Sequence, residues 1–323
     1  MKFCNDFKKN YLIIYHEDQL SRKRSGRNIS GWILIDKPAG PSSSDIVNKV
    51  RWLFSAQKAG HSGTLDPEAT GLLAIALGEA TKTIPYVTDS LKAYTFDVCL
   101  GSETTTDDQE GETTRTSSIR PTTQEIQESL NNFTGHILQT PPKFSAVKVN
   151  GQRAYKLARE NIDVELAPRP LFVKSLDLVC RKDSETVTFE MICGKGGYVR
   201  SIARDLGRKL ECYGHIIKLR RQWSGSFDIS NATTLEELKS LKETNEIITA
   251  VLPLEASLVN IPEIAFDIEN AKKILNGNPC YTHVSEISDG QEAWASENGK
   301  AIALGKYLNK QFYPSRIILP SNV

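Results

Sequence analysis

Gly60-His61-Ser62-Gly63-Thr64-Leu65-Asp66-Pro67-Glu68-Ala69-Thr70-Gly71, running on into Leu72-Leu73-Ala74-Ile75-Ala76-Leu77-Gly78, is the stretch on which the reading of this chain turns. Three glycines, a histidine and the carboxylates of Asp66 and Glu68 crowd a turn-like segment ahead of an apolar run. Asp66 has two readings. Asp before Pro67 and Glu68 is a good helix start, with Asp as N-cap and Pro in the first helical position. That reading makes Ala69 to Leu77 a helix ended by Gly78. A carboxylate on an ordered turn is also a nucleophile, a base or a metal ligand. The roles compete, because a carboxylate that caps its own helix is less available to a substrate. Glycines that permit positive φ or close approach of a ligand, together with His61, weigh toward chemistry.

Working outward, Gly31-Trp32-Ile33-Leu34-Ile35-Asp36 reads as a strand stopped by Lys37-Pro38-Ala39-Gly40-Pro41. Ser42, Ser43 and Ser44 offer caps for a helix over Asp45 to Phe54, whose Ile46, Val47, Val50 and Phe54 have helical spacing. Tyr94 to Leu100 and Val187 to Cys193 alternate strictly, as half-buried strands do. Between them lie a polar loop (101–118), a helix from Thr123 to Phe133 and a Pro-punctuated insert (139–170). Tyr198 to Leu210 is predicted as a helix with Ile202, Leu206 and Leu210 facing inward and Arg200, Arg204 and Arg208 facing outward. Thr233 to Leu241 reads as a short helix. Short strands such as Ala301 to Gly305 and Arg316 to Leu319 follow. The mixture predicts an α+β fold with a mixed or antiparallel sheet. Three parts are expected: a basic extension (1–29), a large domain (30–250) and a small β-rich module (251–323).

At 323 residues and 39% hydrophobic content the chain is long enough for a substantial core. The formal net charge is only +1, but it is uneven. Lys195 to Arg221 holds eight Lys/Arg against Asp205 and Glu211, whereas Glu103 to Glu112 is acidic. Local basic patches of this kind suit nucleic acid. The six cysteines are scattered with no CxxC pair, so no zinc site is expected. No 18-residue apolar run occurs. A cytoplasmic monomer without membrane contact is the expectation.

Arg200 enters the basic helix at its start, where a cation opposes the helix dipole. It therefore calls for an anion, a substrate phosphate or a carboxylate such as Asp66, and such a pair would keep Asp66 ionised. Tyr94 is either a core aromatic or a stacking surface for a planar substrate. Asp108, in Thr104-Thr105-Thr106-Asp107-Asp108, is either an Asx turn or a polar contact. His61 stacks, transfers a proton or bonds its own turn. His215 precedes Ile216-Ile217-Lys218-Leu219-Arg220-Arg221, read as a strand edge with two cations suited to phosphates.

Five segments in this order carry a resemblance. They are Gly31 to Ser43, Gly60 to Gly71, Leu100-Gly101 with Thr104 to Asp108 and Gly111, Gln139-Thr140-Pro141-Pro142-Lys143-Phe144-Ser145-Ala146-Val147-Lys148, and Gly194-Lys195-Gly196-Gly197-Tyr198-Val199-Arg200-Ser201. With Asp205-Leu206-Gly207 and Leu219-Arg220-Arg221, the chain resembles the TruB family of bacterial tRNA pseudouridine-55 synthases over roughly residues 31 to 225. The end of the chain resembles, more weakly, a PUA-like RNA-binding module. The resemblance implies that uridine in the tRNA T-loop is flipped out and isomerised without a cofactor. It implies Asp66 as the catalytic aspartate, Arg200 as its partner and Tyr94 as the residue stacking on the base. It further implies His61 in loop contact and flipping, Asp108 near the flipped bases, and Tyr198 and Lys37-Pro38 as scaffolding. Lys37, Lys148, Lys195, Arg220 and Arg221 complete the expected RNA-binding set. Ser62, Thr105 and Phe144 stand where the family often has Thr, Asp and Tyr. A non-catalytic RNA-binding protein using the same cleft is the competing reading. A carboxylate hydrolase lacks a clear second acid.

Overall fold

Thr70–Leu77 is a β-strand, not the helix its cap-like start predicts. The run has no helical period because both its faces are buried. Leu73, Ile75 and Leu77 enter one core, and Leu72, Ala74 and Ala76 enter another. A strand covered on both sides reads as a continuous apolar run, which over so short a span does not separate strand from helix. Asp66 therefore does not cap a helix of its own.

The computed structural model describes residues 26–149, 151–160, 162, 164–282 and 284–320. Most of the expected basic extension thus lies outside the described residues. The large sheet takes its strands from Gly31–Lys37 (β1), Ala59–His61 (β2), Thr70–Leu77 (β3) and Lys92–Leu100 (β4). Ser102–Thr104 (β5) and Thr113–Thr116 (β6) form a separate ribbon. Gly135–Gln139 (β7) returns to the large sheet, and Lys148–Val149 (β8) with Gln152–Arg153 (β9) makes a second ribbon inside the Pro-punctuated insert. Arg169–Arg181 (β10), Thr186–Cys193 (β11), Gly214–Ser224 (β12) and Phe227–Asp228 (β13) complete the sheet. Its order is β1-β3-β12-β4-β11-β10-β7, with β2 on β3 and β13 on β12. All pairings in it are antiparallel except β3 with β12.

That exception positions the site. One edge of β3 pairs with β1 along its length. The other edge changes partner: Ile75, Ala76 and Leu77 pair with β2, whereas Thr70 and Gly71 pair with β12. The loop 62–69 joins β2 to β3 at this changeover. Gly71 has φ +95°, and a Cβ there would lie 2.4 Å from the Arg221 carbonyl oxygen, so only glycine lets the two strands meet.

Helices Ser43–Leu53 (α1), Thr123–Leu130 (α3), Val199–Lys209 (α5) and Leu235–Glu243 (α6) cover one face of the sheet through Ile46, Val50, Ile126, Ile202, Leu206 and Leu238. Two shorter helices, Ile84–Thr88 (α2) and Ala154–Arg159 (α4), lie in connections. Ser42 caps α1 with a reciprocal bond from Asp45, as the serine run predicts. A second sheet, from Glu263–Ala265 (β14), Cys280–Tyr281 (β15), Glu292–Glu297 (β16), Lys300–Leu308 (β17) and Gln311–Ile317 (β18), has the order β14-β16-β17-β18-β15. Ile268–Leu275 (α7) packs on it around Phe312. Trp294, Leu304 and Ile318 of this module share a core with Trp32, Leu34, Leu72 and Phe227 of the large sheet. The rings of Trp32 and Phe227 lie 5.0 Å apart. Truncating one such core side chain costs about 2–5 kcal/mol, so the module is fastened to the back of the sheet.

Candidate active site

The Asp66 loop is gripped by its backbone. Ser43, at the start of α1, bonds both the amide and the carbonyl of Leu65, at 2.8 and 2.7 Å. Lys37, at the end of β1, is fully buried and donates to the carbonyls of Pro38, Pro67 and Ala69 at 2.7–2.8 Å. Burial pushes its ammonium down to about 8, with Glu68 and Asp66 pulling the other way. Arg221 is 2% exposed and donates to the carbonyls of Leu72 (2.7 Å) and Gly63 (3.1 Å). These bonds hold the loop at the carbonyls of Gly63, Leu65, Pro67 and Ala69, and the Asp66 side chain is 41% exposed.

Arg200 meets that carboxylate from the first turn of α5. Its Nε lies 2.9 Å from Asp66 Oδ2, although the two residues are far apart in sequence. Its Nη1 donates to the Thr106 carbonyl at 2.8 Å and lies 3.4 Å from Asp108 Oδ2. Its Nη2 donates to the Phe144 carbonyl at 3.0 Å. The guanidinium is 6% exposed, so these oxygens replace water around a buried cation. The expected outward basic face of α5 is overturned here. Arg200 and Arg204 are both buried, because the acidic segment from Glu103 to Asp108 folds over that face.

Asp66, Tyr94, Asp108, Tyr198, Arg200, Lys195 and Arg221 line one cavity of about 540 Å³. Tyr94 is 8% exposed. Burial raises its hydroxyl above the ordinary phenol range, with Arg221 opposing. Tyr198 accepts the Gln139 amide on its carbonyl and donates its own amide to Gln139 Oε1, which ties β7 to the start of α5. His61 stands outside this wall. Its Nδ1 accepts from the Gly63 amide at 3.3 Å, and burial next to Arg221 lowers its ring below the usual histidine range.

Several expected RNA contacts are placed otherwise. Lys37 is a fully buried strut, and Arg221, 2% exposed, lines the cavity while its guanidinium donates to the carbonyls of Leu72 and Gly63. Arg220 makes a paired contact with Asp36, at 2.9 and 2.7 Å, and is half-exposed. Lys195 is exposed and sits 2.7 Å from Asp89, and Lys148 is exposed on β8. The two cations of the segment after His215 are not on a strand edge, because Arg220 and Arg221 pair with β3 on one side and β4 on the other. His215 itself pairs with Cys99 of β4 and has Nδ1 3.0 Å from the Ser102 carbonyl. Among the described residues no cluster of three His, Cys, Asp or Glu is arranged to hold a metal. No described helix is long and apolar enough to cross a membrane.

Three residues that shape the site escape sequence reasoning. Lys92 lines the cavity and donates to the carbonyls of Thr88 and Ser90 at 2.8 Å. Burial and the neighbouring Arg221 lower its ammonium to about 8. Asp107 pairs with Arg204 at 2.8 Å, and Leu219 forms part of the cavity wall. The one available signal was the match between an acidic loop and a basic helix of similar charge spacing.

The same arrangement has relatives. Residues 51–199 match the model of the TruB family pseudouridylate synthase N-terminal domain, and residues 200–259 that of the tRNA pseudouridylate synthase B C-terminal domain. The chain is 56% identical over 298 residues to the tRNA pseudouridine synthase B of Ruegeria sp. (strain TM1040), covering 92% of this chain and 99% of that protein. The chain belongs to the TruB family. A TruB relative from Chelativorans sp. (strain BNC1) is 45% identical over 304 residues, covering 91% of this chain and 97% of its own. The fold has solved counterparts in an H/ACA RNP bound to a substrate RNA containing 2'-deoxyuridine (TM-score 0.69, 20% identity, 90% of this chain and 86% of that one). A Cbf5-Nop10-Gar1 complex has the same TM-score at 22% identity, covering 90% of this chain and 85% of that one. Both are likenesses of fold. TruB membership makes the chain a pseudouridine synthase, and the cavity with its carboxylate–arginine floor is the candidate active site.

Proposed function

We propose that this synthase isomerises uridine 55 in the T-loop of tRNA, with Asp66 as nucleophile. The observation that carries the reading is the Asp66–Arg200 pair at 2.9 Å, with a buried guanidinium and a carboxylate open to the cavity. A buried cation held on four oxygens fixes the carboxylate in place and leaves it open to the cavity, as a nucleophile requires. The target uridine is extruded from the folded RNA and enters beside Tyr94. The C1′–N1 bond breaks and uracil turns. C1′ then joins C5, the C5 proton leaves and N1 regains one. Atoms balance with no cofactor. Asp66 serves either at C1′, by attack or by assisting elimination to a glycal, or at uracil C6. Asp108 and His61 contact the displaced loop, while Lys195, Lys148 and Arg220 meet phosphates. Lys37 and Arg221 serve the site from below as backbone struts. In this reading a monomer is the acting unit and the cytoplasm is the compartment.

The test uses a tRNA transcript carrying tritium at C5 of its uridines. The wild-type protein should release label from the unmodified transcript and none from one with cytidine at position 55. Release that persists with cytidine 55 would contradict the assigned position. A protein that binds the transcript without releasing label would be a binding protein only.

A further inference from the structure

Arg200 is one rung of a ladder. α5 presents Arg200, Arg204 and Arg208 four residues apart, and the segment from Glu103 to Asp108 supplies an acid to each. Glu103 takes Arg208 through two oxygens, at 2.6 and 2.7 Å. The middle rung is sealed: Arg204 Nη1 lies 2.8 Å from Asp107 Oδ2, with side chains 8% and 9% exposed. Arg204 Nη2 also donates to the Thr140 carbonyl at 2.8 Å, and its Nε to Asp205 at 2.8 Å. Ser201 Oγ donates to the same Thr140 carbonyl at 2.8 Å.

Two loops of the cavity therefore converge on one guanidinium. Asp107 has φ +62°, a left-handed turn between Thr106, whose carbonyl binds Arg200, and Asp108, which faces the cavity. The Asp107 carbonyl accepts the Ile216 amide at 3.1 Å, which ties the turn to β12. Asp tolerates this conformation at a modest cost, and the buried ion pair holds it there. On the other side, Thr140 opens the run Pro141-Pro142-Lys143-Phe144 that delivers the Phe144 carbonyl to Arg200. Asp66 itself sits on a different loop, held by Ser43, Lys37 and Arg221.

We propose that Arg204 is a positioning residue: by holding the Asp107 carboxylate and the Thr140 carbonyl together, it sets where Asp108 meets the RNA, without touching RNA or Asp66. This rests on the reading of Asp108 as an RNA contact. Its loss loosens the grip on substrate and spares the chemical step, because Arg200 keeps its direct contact with Asp66 and the Asp66 loop keeps its own struts.

Tritium release under single-turnover conditions separates the two effects. Arg204→Gln should raise the half-saturating concentration at least about tenfold and leave the saturating rate within about threefold. Arg204→Lys should recover part of the loss. Combined with Asp108→Asn, it should weaken the grip no more than the worse single change, since both act through one contact. An unchanged half-saturating concentration, a saturating rate that falls as far as the grip, or factors that multiply would each overturn the proposal. If Arg204→Gln does not fold, Asp107→Asn with Arg204→Gln removes both buried charges and is read the same way. Wild-type protein that releases no label at all would sink the functional reading instead.

Discussion

Two loops reach the same arginine and are held in opposite ways. The Asp66 loop is fastened by its backbone, with Ser43, Lys37 and Arg221 occupying its carbonyls. The Glu103–Asp108 segment is fastened by its side chains, with its carboxylates spent on Arg208, Arg204 and Arg200. The first arrangement leaves a carboxylate 41% exposed with one ionic partner, whereas Asp107 is sealed and Asp108 is 13% exposed. A carboxylate meant for chemistry has to be positioned by something other than itself. The difference between the loops shows how this chain does that.

Arg200 belongs to both loops, so its loss should have the largest effect. Arg200→Met removes the partner of Asp66 and strands the largely buried Asp108. We expect turnover to fall about 100-fold and stability by about 3 kcal/mol, read by tritium release and urea denaturation. A variant that loses stability but keeps its rate would detach Arg200 from the chemistry.

Lys37 tests the backbone grip alone. Lys37→Met removes the ammonium donor from the carbonyls of Pro38, Pro67 and Ala69, of which Pro67 keeps the Gly40 amide, a cost of about 2 kcal/mol. Turnover should drop about tenfold through misplacement of Asp66. RNA affinity in a filter assay should stay within about twofold, because the buried ammonium reaches no phosphate. A large affinity loss would return Lys37 to the RNA-binding set.

The smallest effect lies at the far rung. Burial opposes the charge on Glu103, but the paired bonds from Arg208 outweigh it and hold the carboxyl below the ordinary glutamate range. A depressed folded value means that this stabilisation is present above about pH 4.3 and is lost as pH falls further. Arg208 is 45% exposed, so solvent screening limits the pair to about 0.5 kcal/mol. Arg208→Met should slightly flatten the fall of Tm between pH 5 and pH 3 and leave turnover alone. A change in turnover would show that the far rung reaches the cavity.

The same contrast explains what was legible in the sequence. The α+β class, β1, the capped α1, the alternating strands β4 and β11 and helix α5 follow from local pattern, which short-range sterics and burial dictate. A helix-start cation at Arg200 called for an anion, which the residues alone left open between a substrate phosphate and Asp66; the family resemblance implied the pairing, and the two meet at 2.9 Å. Strand β3 was not legible, because double burial erases the period that tells strand from helix. The roles of Arg204 and Arg221 were not legible either, and Lys37 as scaffolding came only from the family resemblance. A cation looks the same in sequence whether it meets a phosphate, a remote carboxylate or the carbonyls of a loop. Only the fold brings Glu103 to Asp108 over α5, or Pro67 over Lys37.

The most direct test is single-turnover release of C5 tritium from a tRNA transcript by Asp66→Asn beside the wild type, with RNA affinity measured on both. We predict release by the wild type, none above background by Asp66→Asn, and affinities within about threefold of one another. Release by Asp66→Asn at a rate within about tenfold of the wild type would contradict the assignment of Asp66 as nucleophile.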